Sequence, residues 1–417
     1  MNPINYKTKD INDNFISMAR MYPKPYNKNK ADPYTKTRVI LMNGTEYESV
    51  WFLHNFARHC AEPEILEALA IVRKQEQQQQ KMIACLKPIN ESILETTIAY
   101  EQLAIDLTAS LAIREKDKNN REALNFALLE DFDHLYRFAN LLMIDKGIDS
   151  KKLVGEYTEI MPGRPTIAEH RYPVDDLKCA MDSTKANLYT KLVAGIITAA
   201  EQQTMNYYMN IAQWYKNDLG RKLYSEIAMI EEEHVSQYES LKDSRMTWLE
   251  QWVMHEYTEC YLYYSAYVDE VDNYIKKIWY DFFEMECAHL QLAIRMLEKY
   301  EHTEYKKIVC EGEFPELLTI GSHKEYIRDV IAKTVTMTAK NKSYAEINSL
   351  KDDDRYFKYQ DMIIGNEEAT VPSHEVINKA VECLGQDYRV QDSKHPIAEL
   401  SDRKKDNICI ARKKRCK

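Results

Sequence analysis

Residues 230–238 read Ile-Glu-Glu-Glu-His-Val-Ser-Gln-Tyr, three glutamates directly before a histidine. The flanking "LYSEIAM" and "ESL" favour a helix. Side chains three and four apart share one helix face. His234 therefore pairs with Glu231, while Glu232 and Glu233 point elsewhere, to solvent. The apolar ladder selects the same face: Tyr224, Ile227, Glu231, His234, Tyr238 and Leu241 follow at steps of three and four. An acid and an imidazole thus lie on the stripe that a packed helix buries.

The arrangement recurs. "LLEDFDHLYRF" places Asp131 three before His134, and "FFEMECAHLQL" places Glu286 three before His289. A lone acid-x-x-His carries little weight. Asp392 and His395 make such a match in irregular sequence before Pro396, and read as coincidence. The others have context. Thirty residues before Asp131, Glu231 and Glu286 stand Glu101, Glu201 and Glu256. Each falls on the apolar stripe of the preceding helical segment. In a helical hairpin such pairs lie at one height, about 15 residues or roughly 22 Å from the turn.

Burying one unpaired carboxylate in a helical core costs on the order of several kcal/mol and normally forces protonation. Two facing hairpins would bury Glu101, Asp131, Glu201 and Glu231, with no Lys or Arg on those stripes. Two divalent ions balance the four charges, and His134 and His234 complete the ligand set as neutral nitrogens. Oxygen-rich mixed ligation suits iron or manganese better than zinc.

These residues resemble the ferritin-like superfamily of di-iron and di-manganese carboxylate proteins. Its pattern is one Glu from each of two helices and Glu-x-x-His from each of the other two. The resemblance covers roughly residues 90–245, including a long crossover between hairpins. It implies a four-helix bundle in which Glu101 and Glu201 match the single-Glu helices. Glu231 with His234 matches one Glu-x-x-His, and Asp131 with His134 the other, with Asp in place of Glu. It further implies two iron ions, or alternatively manganese, and an oxidoreductase acting on O₂ or peroxide, with or without an organic small molecule. A di-manganese peroxide dismutase and a non-enzymatic metal-binding or storage bundle are the alternatives. Tyr238 stands one turn after His234. The small subunit of ribonucleotide reductase is similar in having a redox tyrosine one turn after a ligating histidine, but in its first hairpin, where this chain has Phe138. A core tyrosine is the simpler reading of Tyr238.

The third hairpin exceeds that plan. Glu256, Glu286 and His289 make half a site, which two copies of the chain could complete across a two-fold axis. A homodimer with a further metal site is the expectation. Pairing of the first hairpin with the third, or a metal-free motif, are the alternatives.

The rest of the chain frames this core. The 417 residues are 45 % hydrophobic with a net charge of -10, which disfavours a general nucleic-acid binder. No apolar run approaches the roughly 20 residues of a membrane span, and the first residues lack a signal core. Nine cysteines without a CxxC pair suggest a reduced, cytoplasmic chain. Only 10 Gly and 12 Pro favour long helices. The expected organisation is an extended arm over 1–45, a helical segment over 46–88, the bundle over 89–245 with its crossover at 146–183, the third hairpin over 246–300, and a C-terminal extension over 301–417 ending in a basic tail. Within the arm, Asn43-Gly44 suggests a hairpin turn or, preferably, one strand followed by a helix capped near Thr45. Helices are expected near 90–115, 121–145, 184–215, 220–242, 246–268, 272–300 and 324–348. "EQQQQK" reads as a polar helix face and His54 and His59 as structural, while His170 in the crossover has no partner visible in the sequence.

Overall fold

A computed structural model describes residues 1–365 and 371–412. Among them the chain is all-α, with one two-stranded sheet. The helices are α1 (Pro33–Arg58), α2 (Pro63–Ala84), α3 (Ile93–Arg114), α4 (Lys118–Lys146), α5 (Lys151–Val154), α6 (Leu188–Trp214), α7 (Asp218–Glu239), α8 (Trp248–Asp269), α9 (Asn273–Glu301), α10 (Lys306–Val309), α11 (Lys324–Thr334), α12 (Arg355–Ile364) and α13 (Pro372–Leu384). No helix of the described residues is long and apolar enough to cross a membrane.

Local chemistry sets the ends. Ser92 with Glu95 and Thr247 with Glu250 form capping boxes that satisfy free amide groups at the starts of α3 and α8. Asp117 and Asp272 cap α4 and α9. Pro63 opens α2, where its missing N–H has no helical partner to lose. Gly147 ends α4 in the left-handed conformation.

The chain divides into two compact units, each assembled from separate stretches rather than the expected contiguous segments. The first comprises Met1–Glu91, Ala180–Gln203 and Lys242–Ile320. In it α1 packs on α2 and α8, and α9 packs on α2 and α8. The second comprises Ser92–Cys179, Thr204–Leu241 and Gly321–Lys417. In it α3 and α7 pack on α4, and α13 lies against α4 and α7. The third hairpin, α8–α9, is thus no appendage: it pairs with α1–α2, which the sequence reading assigned to an arm and a preceding segment.

Two local expectations are corrected. Asn43-Gly44 makes no turn and no strand, because α1 runs continuously from Pro33 to Arg58. A Cβ on Gly44 would lie 2.7 Å from Cβ of Gln203, so this glycine permits close packing rather than a bend. The helix expected over 324–348 stops at Thr334, and Met337–Lys340 (β1) pairs antiparallel with Ser343–Glu346 (β2). The residues before α1 are mostly irregular and tied down: Tyr6 donates to Glu284 at 2.8 Å, and Ile16 N–H donates to Gln78 Oε1 at 2.8 Å. Residues 413–417 of the basic tail lie outside the described residues.

Candidate metal centre

In the second unit α3, α4 and α7 turn acids and imidazoles into one buried cluster. Glu101, His134 and Glu231 offer ligand atoms within 4.8 Å of one another, and so do Asp131, Glu231 and His234. All five are 0 % exposed. Glu231 is common to both groups. His134 Nδ1 is 3.1 Å from Glu231 Oε1, and His234 Nδ1 is 3.2 Å from Glu231 Oε2. The shorter arm of Asp131 still reaches His234 Nδ1, at 3.3 Å. Glu101 accepts a hydrogen bond from Tyr208. Glu201 is 1 % exposed on α6, two turns before Tyr208.

The outward nitrogens are equally constrained. His134 Nε2 lies 3.1 Å from Glu169 Oε2, and His234 Nε2 lies 2.8 Å from Glu130 Oε2. Both imidazoles thus present Nδ1 to the cluster and Nε2 to an outer carboxylate. That is the arrangement of metal-ligating histidines, whose second N–H is held by an outer acceptor. Glu130 is fixed in turn by Arg164 and by Arg171, whose Nη1 is 2.8 Å away.

Sequence reasoning missed this outer layer. Glu169, Arg164 and Arg171 sit in the connection between α5 and α6, where no periodicity marks a buried position. Arg171 also reaches Glu233, which is 6 % exposed and so does not face solvent as expected.

The electrostatics point one way. Burial first, then Glu231, pushes the Glu101 carboxyl well above its ordinary range. Burial raises Asp131 despite His234 beside it. Burial pushes Glu169 up to about 8. Burial alone would lower His134, but Glu169 and Glu231 outweigh it and raise the ring well above 6.5. Glu130 goes the other way: burial opposes ionisation, but Arg171 and His234 hold it well below 4.5. A cluster that strains its own ionisation in this way is relieved by protons or by cations.

The first unit holds the residues expected to form a half-site. Glu256, Glu286 and His289 converge there with Glu76 of α2, all within 4.8 Å and all buried. The missing half therefore comes from the same unit rather than a second copy. Glu76 lies in the stretch read as a polar face, yet Gln75, Glu76 and Gln79 are all 0 % exposed. The sequence held a usable sign: Glu46 stands 30 residues before Glu76, the spacing of the other three pairs, and Gln79 stands where the others have histidine.

The remaining candidates fall outside the clusters. Asp392 pairs with Lys324, and His395 Nε2 lies 2.7 Å from the carbonyl of Pro162. His59 stacks on Trp248, and His170 lies 3.7 Å from Glu226. Tyr238 is fully buried on α7. No family model, curated protein or solved structure matches this chain.

Proposed function

We propose that the second unit is a ferritin-like two-metal carboxylate centre, most simply di-iron, and that the protein is an oxidoreductase acting on O₂ or peroxide. One observation carries the reading: two buried imidazoles turn Nδ1 to the shared Glu231 and Nε2 to the outer carboxylates Glu169 and Glu130. Glu101, Asp131, Glu231, His134 and His234 would hold the metals. Asp131 leaves both oxygens without hydrogen bonds although fully buried, which fits a cation as the partner. Two carboxyl-rich ligand sets with nitrogen donors suit iron and manganese.

A reduced metal pair held by these ligands would supply two electrons to an oxidant. The chain's own part is positional. Glu130 and Glu169 hold the two rings in one tautomer, Tyr208 orients Glu101, and the packed helices exclude water. Tyr238, one turn from His234, stays a candidate redox side chain within this reading.

The test is anaerobic loading of the full chain with Fe(II), metal counting, then exposure to O₂ or peroxide with absorbance recorded. The expected result is bound iron and an absorbance change, both reduced in Glu231→Gln/His234→Gln. Equal iron content in that variant and the native chain, or bound iron inert to both oxidants, would sink the proposal.

A further inference from the structure

The first unit contains a cluster that the reading above does not use. Glu46 (α1), Glu76 (α2) and Glu259 (α8) offer oxygens within 4.8 Å of one another, and Glu76 also belongs to the group with Glu256, Glu286 and His289. All six are 0 % exposed. Both oxygens of Glu76 and both of Glu259 lack hydrogen bonds, as does one oxygen of Glu46 and one of Glu256. Among the described residues no Lys or Arg forms an ion pair with any of the five. Buried carboxylates normally find partners, and these aim their unsatisfied oxygens at one another.

The imidazole gives independent evidence. The side-chain nitrogen of Gln75 donates to the carbonyl of Ile11 at 2.7 Å, so its oxygen is the atom 2.8 Å from His289 Nε2. An amide oxygen only accepts. His289 Nε2 therefore carries hydrogen, and Nδ1 faces Glu76 and Glu286, each at 3.0 Å, with Glu256 at 3.8 Å. A neutral ring in that tautomer would aim a lone pair at three carboxylates. A proton on Nδ1 or a cation must therefore lie between them.

Internal repetition strengthens the parallel. Glu46 to Glu101 and Glu201 to Glu256 are each separated by 55 residues. Tyr263 donates to Glu46 in the first unit as Tyr208 donates to Glu101 in the second. Gln75 holds His289 in the first unit as Glu130 holds His234 in the second.

We infer that the first unit holds a second metal pair, bound by Glu46, Glu76, Glu256, Glu259, Glu286 and His289, and that it favours manganese over iron more than the second unit's centre does. Two divalent ions offset four of the five negative charges. The preference follows from the donors. Gln79 replaces the second histidine, and Glu259 adds a carboxylate one turn after Glu256, so one nitrogen faces five carboxylates. Carboxylate sites suit manganese, whereas imidazole favours the ions later in the series. A cavity of about 100 Å³, lined by Glu48, His255, Glu259, Phe52 and Met254, brings the surface of this unit to the edge of the cluster. It supplies the entry path that a metal site needs.

The experiment is manganese binding by the full chain and two variants, with folding checked by circular dichroism. Glu231→Gln/His234→Gln silences the second unit's ligands. It should keep about two Mn(II) per chain, and adding Glu76→Gln/Glu286→Gln should remove them. Loss of all manganese from the first variant while it stays folded overturns the proposal. Anomalous scattering at the manganese edge from native crystals gives a check free of variant folding: peaks between Glu76 and Glu256 are expected, and their absence overturns the site. Loaded with equal Mn(II) and Fe(II) without oxygen, the first variant should hold a higher manganese-to-iron ratio than Glu76→Gln/Glu286→Gln alone. An equal or lower ratio overturns the preference.

Discussion

The side-chain oxygen of Gln75 lies 2.8 Å from Nε2 of His289, and this one contact decides which nitrogen of the ring faces the acids. Outer partners of this kind set ring orientation and basicity. Their removal typically costs 10–100-fold in metal affinity. Gln75→Leu should therefore weaken manganese binding in the first unit by about 10–100-fold, leaving iron binding in the second unit unchanged. Gln75→Glu keeps an acceptor and should retain most of the affinity. Equilibrium dialysis of both variants checks the contrast, and identical affinities would show that the contact plays no part.

The second unit offers the matching test. His134 Nε2 faces Glu169 from the connection before α6, outside any helix of the bundle. Glu169→Gln keeps an acceptor without its charge, and Glu169→Ala removes it. Iron affinity should fall in the order native, Gln, Ala, spanning about 10–100-fold. Isothermal titration under nitrogen measures it. A flat series would mean that His134 needs no outer partner.

The raised carboxyls predict how metal-free protein responds to pH. Burial holds Glu46, Glu101, Glu256 and Glu259 well above 4.5, and Glu169 at about 8. Their native forms bind more protons than the unfolded chain does between 4.5 and the raised values. Stability contributed by these groups is complete below pH 4.5 and is lost as pH rises through that window. Burial lowers His134 and His289, but their carboxylate neighbours raise both rings well above 6.5, which acts in the same direction. Glu76 and Glu231 are depressed, so their contribution is already complete above 4.5. Metal-free protein should thus lose thermal stability from pH 5 to pH 8, and the gain in Tm on adding Mn(II) should widen over the same range. Scanning calorimetry of chelated and loaded protein tests this. A metal-induced gain that shrinks with rising pH would contradict it.

Packing in the connection predicts a change remote from the ligands. A Cβ on Gly163 would sit 2.2 Å from the carbonyl oxygen of Leu129 and 3.1 Å from the amide nitrogen of Asp133. Both atoms belong to the backbone of α4, which cannot yield without moving Glu130, Asp131 and His134. Overpacking of this kind costs about 1–3 kcal/mol. Gly163→Ala should lower stability by that amount in chemical denaturation and weaken iron binding in the second unit. Native stability in the variant would indicate that the connection relaxes freely.

Much of this architecture was legible before the structure. The long helices α3, α4 and α6 to α9 announced themselves because apolar steps of three and four end at polar joints. The acids and histidines were legible because their 30-residue spacing places them at one height on paired helices. Glu46 and Glu76 escaped for two physical reasons. Asn43-Gly44 resembles a turn, but tight packing of α1 on Gln203 is what requires the glycine. Gln79 breaks the acid-x-x-His motif while keeping its place on the buried face. The outer residues Glu169, Arg164 and Arg171 were not legible at all, since an irregular connection gives no periodicity from which burial can be read.

Gln79 provides the last test, because it marks the largest difference between the two ligand sets. It donates to Glu286 through its nitrogen, and its oxygen has no hydrogen-bond partner although the residue is 0 % exposed. Its register matches His134, three residues after the acid of its helix. Gln79→His adds a nitrogen donor to the first unit and removes the donation to Glu286. The manganese-to-iron ratio held by that unit should fall toward the ratio in the second unit. Direct measurement needs Gln79→His combined with Glu231→Gln/His234→Gln, loaded with both ions without oxygen. A ratio unchanged by the new histidine would mean that the nitrogen count does not set the preference, and that the extra carboxylate Glu259 does.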